Sequence, residues 1–269
     1  MIHSWIIWLF LTLLFLSIGS FLNVVIHRLP LLLQSELHAE CCELLNLPHN
    51  PVKNISLAWP GSHCPKCTTK LKIWQNIPVL SYLFLRGNCY YCHANISIRY
   101  LCVELACLLV SLYAVWFFGL HWSLCCILPF LWILICLFCI DLQHQILPDV
   151  LSLSLLWLGL LLNTQNIFIS LSTAVFSAAG AYLSLWLVMR AYLWIRGKVG
   201  MGHGDFKLFA AFGAWFGWTA LPCLLLIASI SGILIGCIYL KATRQSYQTQ
   251  LPFGPFLCAA GVITLFYRF

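Results

Sequence analysis

Charged side chains are scarce in this sequence, and their scarcity excludes an ordinary soluble protein. Asp, Glu, Lys and Arg together make up 8% of its 269 residues, whereas 62% of the residues are hydrophobic. A soluble domain carries roughly 25% charged residues, so water cannot be the solvent for most of this surface. The bilayer must take that role, and we expect an all-α polytopic membrane protein.

The sequence also lacks a dense basic run, although its formal net charge is +7. Lys and Arg stand in short segments between apolar stretches, which is typical of loops that face the cytoplasm. Membrane lipid is therefore an expected partner, and nucleic acid is not.

Apolar stretches of spanning length recur along the chain, and a span needs about 20 apolar residues. We predict about eight transmembrane helices. They cover residues 5–26, 100–120, 123–140, 150–162, 167–189, 206–218, 221–240 and 251–267.

Basic residues predict the orientation of these spans. Alternating spans place three basic clusters on one side of the membrane, which should be the cytoplasm. The chain then divides into a first transmembrane helix (1–27), a cytoplasmic segment (28–99) and a membrane domain of about seven helices (100–269). The clusters are the basic residues between Arg28 and Arg99, the set Arg190, Arg196, Lys198 and Lys207, and the pair Lys241 and Arg244.

Acidic residues number only seven, and four of them lie at or near predicted membrane ends. An ionisable residue in that position is costly and suggests a function. Asp149 follows a proline and could simply cap the next helix. Glu104 could pair with Arg99 or reach the interface as a snorkelling side chain.

Asp141 and Asp205 have weaker structural explanations. Asp141 ends an apolar run, where the helix dipole disfavours an anion. Asp205 follows three glycines in five residues, Gly200, Gly202 and Gly204. Glycines so spaced indicate unusual backbone dihedrals or a close approach to another group. Both aspartates fall at the cytoplasmic ends of predicted spans, so they can meet in one layer. Two carboxylates that share a proton can activate water and protonate an amide nitrogen, so we predict an aspartic-protease dyad.

Four cysteines form two Cys-x-x-Cys pairs in the polar segment, Cys64 with Cys67 and Cys89 with Cys92. Four thiolates from two tight turns complete a tetrahedral zinc site. We do not expect these cysteines to form structural disulfides, because the predicted location is the reducing cytoplasm. A structural zinc is therefore expected, and two reduced pairs without metal are the alternative.

Several motifs together resemble the type 4 prepilin peptidase family, also called leader peptidase/N-methyltransferase. They occur in order over nearly the whole chain, and the last is the family's Gly-x-Gly-Asp-x-Lys motif. They are Gly-Ser-Phe-Leu-Asn-Val-Val-Ile-His-Arg-Leu-Pro at 19–30, the cysteine segment from Ser62 through Trp74–Ser81 and Arg86–Cys89 to Tyr100, the Asp141–Asp149 stretch, and Gly202-His-Gly204-Asp205-Phe-Lys207.

The resemblance implies a bifunctional enzyme of the bacterial inner membrane. Such an enzyme cleaves the basic leader from type IV prepilins and type II secretion pseudopilins on the cytoplasmic side, and then methylates the new N-terminus with S-adenosylmethionine. The resemblance maps the protease aspartates onto Asp141 and Asp205, with Gly202, Gly204 and Lys207 as supporting residues. It also implies that residues 100–269 form the peptidase domain. No glycine-rich nucleotide fingerprint locates the S-adenosylmethionine site, so the methyltransferase activity is implied by the resemblance alone.

Two other functions fit parts of the sequence. Another membrane aspartyl protease with a Gly-x-Gly-Asp motif would share the aspartates, but the cysteine quartet argues against it. A proton- or cation-coupled transporter would also carry membrane carboxylates. A transporter predicts inverted repeats and acidic residues near the middle of spans, and the sequence has neither.

Overall fold

The computed structural model describes residues 2–47, 56–198, 200–243 and 251–268, so Arg244 of the third basic cluster lies outside it. Within the described residues the chain is helical, and two isolated antiparallel bridges are its only β pairing. The all-α prediction is confirmed. The α-helices are α1 (Ile2–Leu44), α2 (Leu80–Phe84), α3 (Ile98–Phe118), α4 (Leu124–His144), α5 (Asp149–Asn163), α6 (Leu171–Arg196), α7 (His203–Phe216), α8 (Leu221–Thr243) and α9 (Gly254–Arg268).

Five of these helices, α1, α3, α4, α6 and α8, are long and apolar enough to cross a membrane. Helices α5 and α9 are apolar but have 15 residues each, and α7 has 14. Each of these eight helices overlaps one predicted span. The polytopic architecture is therefore confirmed, while the number of helices that cross the bilayer stays a prediction.

Helix α1 is longer than the first predicted span. It continues through Pro30 to Leu44, so the boundary predicted after residue 27 lies inside it. The residues after Pro30 are mostly Leu, Glu, Gln and Ala, which favour helix whether or not lipid surrounds them. Arg28 then ties the following loop to the helix, because its guanidinium donates hydrogen bonds to the carbonyl oxygens of Ser56, Leu57 and Pro60.

The chain forms two compact units, residues 1–136 and residues 137–269. In the first, α1 packs along α3. Gly19 makes the close approach possible, since a Cβ at that position would lie 2.9 Å from the Cα of Glu104. The Cys107 thiol completes this contact by donating to the Phe15 carbonyl oxygen at 3.5 Å.

Helix α7 is the core of the second unit. Its residues from Leu208 to Phe216 are all buried, against α5, α6, α8 and α9. The Trp215 indole N–H donates to the Leu155 carbonyl oxygen at 2.8 Å, over Gly159 of the same neighbouring helix. A Cβ on Gly213 would lie 2.6 Å from the Ser177 carbonyl oxygen. Small residues thus let the neighbouring backbones close around α7, which explains how so short an apolar helix is buried by protein.

Candidate active site

Asp141 and Asp205 lie together in the second unit. Asp141 belongs to the last turn of α4 and Asp205 to the first turn of α7. The two side chains are buried, with 5% and 8% of their surface exposed, and the charge of Asp141 acts on Asp205. Two buried carboxylates that interact cannot both ionise cheaply, so we expect one of them to keep its proton.

A hydrogen bond from α9 explains how a carboxylate is tolerated near the C-terminus of α4. The backbone N–H of Gly254, the first residue of α9, donates a hydrogen bond to the Asp141 carboxylate. A helix N-terminus offers unpaired N–H groups and a positive dipole end. Asp141 is therefore stabilised by α9 although it stands near the unfavourable end of its own helix.

Asp205 is held by the start of its own helix. Its carboxylate accepts a hydrogen bond from the backbone of Gly202, the residue that caps α7. A carboxylate at the third position of a helix that bonds back to the cap residue forms half of a capping box. The side chain is thereby fixed in place before any substrate binds.

Of the three glycines before Asp205, Gly200 and Gly204 allow a close approach, and none of the three has a positive φ. Gly202 has an ordinary φ of −75°. A Cβ on Gly204 would lie 2.7 Å from the Cβ of Leu147, in the loop between α4 and α5. The first half of the sequence-based expectation, unusual backbone angles, is therefore wrong at Gly202, and the second half is confirmed at Gly204.

Gly254 is the residue that the sequence analysis missed. A Cβ there would lie 2.5 Å from a carboxylate oxygen of Asp141 and 3.1 Å from the Leu147 Cδ1. Leu147 therefore packs between two glycines, one beside each aspartate. The available signal was the stretch Pro-Phe-Gly-Pro-Phe at residues 252–256, a glycine between two prolines at the start of an apolar helix.

Lys207 and Asp149 form an ion pair beside the dyad. The Lys207 ammonium lies 2.7 and 2.6 Å from the two carboxylate oxygens of Asp149. Asp149 is the first residue of α5, and Pro148 occupies the cap position, so the interpretation of Asp149 as a helix cap is wrong. The pair joins the first residue of α5 to the fifth residue of α7 at a partly exposed position, with 56% of the Asp149 side chain and 29% of the Lys207 side chain accessible.

The four cysteines converge in the first unit. Each Cys-x-x-Cys turn is closed by an antiparallel bridge, His63 with Lys70 and Asn88 with Asn95. The turns repeat the same hydrogen bonds: the first cysteine's carbonyl oxygen accepts from the N–H four residues later, and its own N–H donates to the carbonyl oxygen five residues later. Two equivalent turns thus present two thiols each to a common centre.

The thiol geometry fits one tetrahedral metal ion. All four sulfur atoms lie within 4.8 Å of one another, and the Cys64 and Cys92 sulfurs are 3.8 Å apart. Zinc–sulfur bonds of about 2.3 Å in a tetrahedron give sulfur–sulfur distances of roughly 3.8 Å. The quartet could therefore hold a metal ion.

Hydrogen bonds prepare part of the quartet for ionisation. Those from the side chain and backbone of Thr69 lower the pKa of the Cys67 thiol to about 6, and N–H groups of its own turn, Cys92 first, lower the pKa of Cys89. The Ala94 N–H also favours the Cys92 thiolate, but burial and the neighbouring thiols raise the pKa of Cys92 to about 11. A divalent cation would supply the charge that lets all four ionise.

Glu104 differs from the snorkelling interpretation of the sequence. It is buried, with 8% of its surface exposed, so it does not snorkel. Its carboxylate accepts from the Val79 backbone N–H at 2.8 Å and from the Ser20 hydroxyl, so its observed partners are neutral.

Comparisons with known proteins identify the family of this chain. Residues 13–118 match the bacterial peptidase A24 N-terminal domain, and residues 128–237 match the type IV leader peptidase family. No solved structure matches the chain.

Relatives named prepilin leader peptidase/N-methyltransferase align with nearly the whole chain. One from Legionella pneumophila is 52% identical and the alignment covers 98% of this chain and 93% of the relative. One from Pseudomonas aeruginosa is 46% identical, covering 93% and 87%, and one from Aeromonas hydrophila is 46% identical, covering 96% and 91%. With identity this high over almost its full length, the chain belongs to the type IV leader peptidase family.

Proposed function

We propose that this protein cleaves the basic leader peptide from type IV prepilins and type II secretion pseudopilins and then methylates the new N-terminus. The observation that carries the proposal is the buried pair Asp141 and Asp205, held by two helix N-termini in a chain of this family. The peptidase activity belongs to residues 100–269, which contain both aspartates.

The dyad can perform the hydrolysis with one shared proton and one water molecule. The ionised carboxylate takes a proton from the water while the oxygen attacks the scissile carbonyl carbon. The protonated carboxyl gives its proton to the amide nitrogen, and the carbon–nitrogen bond breaks. The dyad ends with one proton, as it began. The hydrogen bond from the Gly254 N–H holds the Asp141 carboxylate in position.

The positions of the aspartates favour a peptidase over a transporter. Asp141 lies three residues before the end of α4, and Asp205 is the third residue of α7. A proton or cation path needs carboxylates near the middle of the membrane. A pair at helix ends instead suits a substrate that is cut near the membrane surface.

The direct test is cleavage and methylation by the purified protein. A synthetic prepilin peptide should lose its leader in the presence of the full-length protein in detergent, and mass spectrometry should find one added methyl group only when S-adenosylmethionine is supplied. An unchanged peptide in an assay with intact, folded protein would contradict the proposed function.

The active site should face the cytoplasm from the inner membrane. The basic clusters support this orientation, since positive residues concentrate in cytoplasmic loops. A reporter fused after Lys198 should read cytoplasmic, and one fused near His121 should read periplasmic. The reverse pattern would place the cysteine quartet in an oxidising compartment and contradict the orientation.

We expect the quartet to bind about one zinc ion per chain as a structural site. Cys64→Ser should remove the zinc and lower the thermal stability, because a structural metal contributes folding free energy. Cys102→Ser, at an exposed position on α3, is the control that removes a thiol without touching the quartet. Elemental analysis measures the metal, and equal zinc contents in the two variants would contradict the site.

The ion pair beside the dyad should contribute modestly. Asp149→Asn or Lys207→Met should lower cleavage by less than about tenfold, because a partly exposed ion pair is worth roughly 0–1 kcal/mol. Exchanging the charges, Asp149→Lys with Lys207→Asp, should restore part of the loss in a cleavage assay. A loss as large as that of the dyad variants would instead make Lys207 or Asp149 part of the chemistry.

A further inference from the structure

A second buried polar cluster lies in the first unit, between α1 and α3. Its members are the Glu104 carboxylate, the Asn23 carboxamide and the Ser20 hydroxyl, with the Val79 backbone N–H from the loop before α2. None of these groups takes part in the proposed hydrolysis. Buried polar groups at this density need a reason, because each costs free energy when its hydrogen bonds are incomplete.

Glu104 has unused hydrogen-bonding capacity. A carboxylate offers about four acceptor positions, and Glu104 accepts from Val79 and from Ser20. The backbone of α1 passes directly over it, because Gly19 carries no side chain in that space. The carboxylate therefore keeps capacity for a further donor beside the α1–α3 contact.

Asn23 adds an acceptor without a partner. Its Nδ2 donates to the Tyr100 carbonyl oxygen at 3.0 Å, one helical turn before Glu104. Its Oδ1 has no hydrogen-bond partner among the described residues, although only 4% of the side chain is exposed. Two acceptors, one of them a carboxylate, thus stand about one turn apart on facing helices.

The loop that reaches Glu104 is strained. Val79 has φ +60° and ψ −51°, a region that a β-branched residue rarely adopts. Residues held in sparsely populated backbone conformations concentrate at ligand-binding and catalytic sites. The Val79 N–H is fixed there by its hydrogen bond to Glu104, so the strain and the buried carboxylate belong to one arrangement.

We propose that Glu104 and Asn23 bind the new N-terminal amine of the cleaved substrate and place it for methyl transfer. The inference rests on the proposed function. A primary ammonium is a compact cation with three N–H donors, and it matches a carboxylate beside a carboxamide oxygen. On the proposed topology α3 begins at the cytoplasmic side, where the methyl donor is available.

The transfer balances with these two residues. The bound ammonium gives one proton to the Glu104 carboxylate, which leaves a lone pair on nitrogen while Asn23 Oδ1 accepts a remaining N–H. The nitrogen attacks the methyl carbon of S-adenosylmethionine. The nitrogen–carbon bond forms, and the carbon–sulfur bond breaks with its electron pair going to sulfur. The proton on Glu104 then passes to water, and the product leaves as a secondary ammonium.

The test uses the full-length protein and a synthetic peptide that represents an already cleaved pilin. Glu104→Gln keeps the side-chain size and an acceptor for the Val79 N–H but removes the charge. We expect kcat/KM for methylation to fall at least about tenfold, as for loss of a charge-assisted hydrogen bond, with prepilin cleavage within about threefold of wild type. Glu40→Gln, the same change at an exposed position of α1, is the matched control and should change neither rate.

A peptide-binding measurement separates binding of the amine from a purely structural role. In the absence of S-adenosylmethionine, the cleaved peptide should bind the wild type at least about tenfold more tightly than its analogue without the α-amino group, and this preference should vanish in Glu104→Gln. Asn23→Ala should weaken the same preference, and it replaces Glu104→Gln in this measurement if that variant does not fold.

Three outcomes distinguish the failures. If the wild type both cleaves and methylates, normal methylation by Glu104→Gln would overturn this inference and leave the proposed function standing. Parallel losses of cleavage, methylation and thermal stability would assign Glu104 a structural role and also overturn it. A wild-type protein that cleaves no prepilin would instead contradict the proposed function.

Discussion

Replacing either dyad aspartate with asparagine should reduce prepilin cleavage by about 10³-fold or more. General acid–base catalysis contributes roughly 10²- to 10⁴-fold, and asparagine keeps the size of Asp141 or Asp205 while it can neither accept nor release the proton. The double variant should be no slower than either single one, because residues that act as a unit are not additive. Cleavage rates of the purified variants, with thermal unfolding as a check on folding, measure this.

The control for the dyad is Asp149→Asn, the same chemical change at the nearby ion pair. It should retain most of the cleavage activity, and methylation of an already cleaved peptide should survive in Asp141→Asn and Asp205→Asn. An Asp205→Asn variant that cleaves at a near-normal rate would refute the mechanism. An active Asp141→Asn beside an inactive Asp149→Asn would keep a dyad but change its first member.

Gly254→Ala should lower cleavage by about 10²-fold without changing a titratable group. The new methyl group would lie 2.5 Å from a carboxylate oxygen of Asp141 and 3.1 Å from Leu147. Either the carboxylate or the start of α9 must move, and a misplacement of about 1 Å costs roughly 10²-fold in rate. Cleavage kinetics with a prepilin peptide measure the loss.

Gly180→Ala is the matched control for this substitution. Gly180 lies in α6, and no described atom comes within 4 Å of the place its Cβ would take. This variant should cleave like wild type and unfold at the same or a slightly higher temperature, because alanine favours helix more than glycine does. Equal rates in Gly254→Ala and wild type would show that the contact with Asp141 does not position it.

The two catalytic candidates could be predicted because scarcity made them conspicuous. With seven acidic residues in the chain, few aspartates were left to explain, and the apolar patterns placed Asp141 and Asp205 at helix ends. The metal-ligand candidates were equally accessible, because two Cys-x-x-Cys turns carry their local geometry in their spacing. The structure brings each set together, and the catalytic role and the bound zinc remain proposals.

Other features were hidden from the sequence. Helix α1 runs past its predicted span because helix propensity does not stop at the membrane surface. Asp149 has the residue type of a helix cap, yet Pro148 takes that position and Lys207 of α7 takes the carboxylate. The role of Asp149 therefore depends on what surrounds it and not on its residue type.

The sequence by itself determined the solvent of this protein, its helical class, its family motifs and the residue types available for chemistry, because these follow from composition and short spacing. The tertiary structure alone decided which groups complete each site. The Gly254 N–H donates to Asp141 from 113 positions away, and the Glu104 carboxylate accepts from the Val79 N–H of another segment. Hydrogen bonds and close contacts between distant helices leave no periodic trace in the chain, since they arise only when packing brings helix ends together.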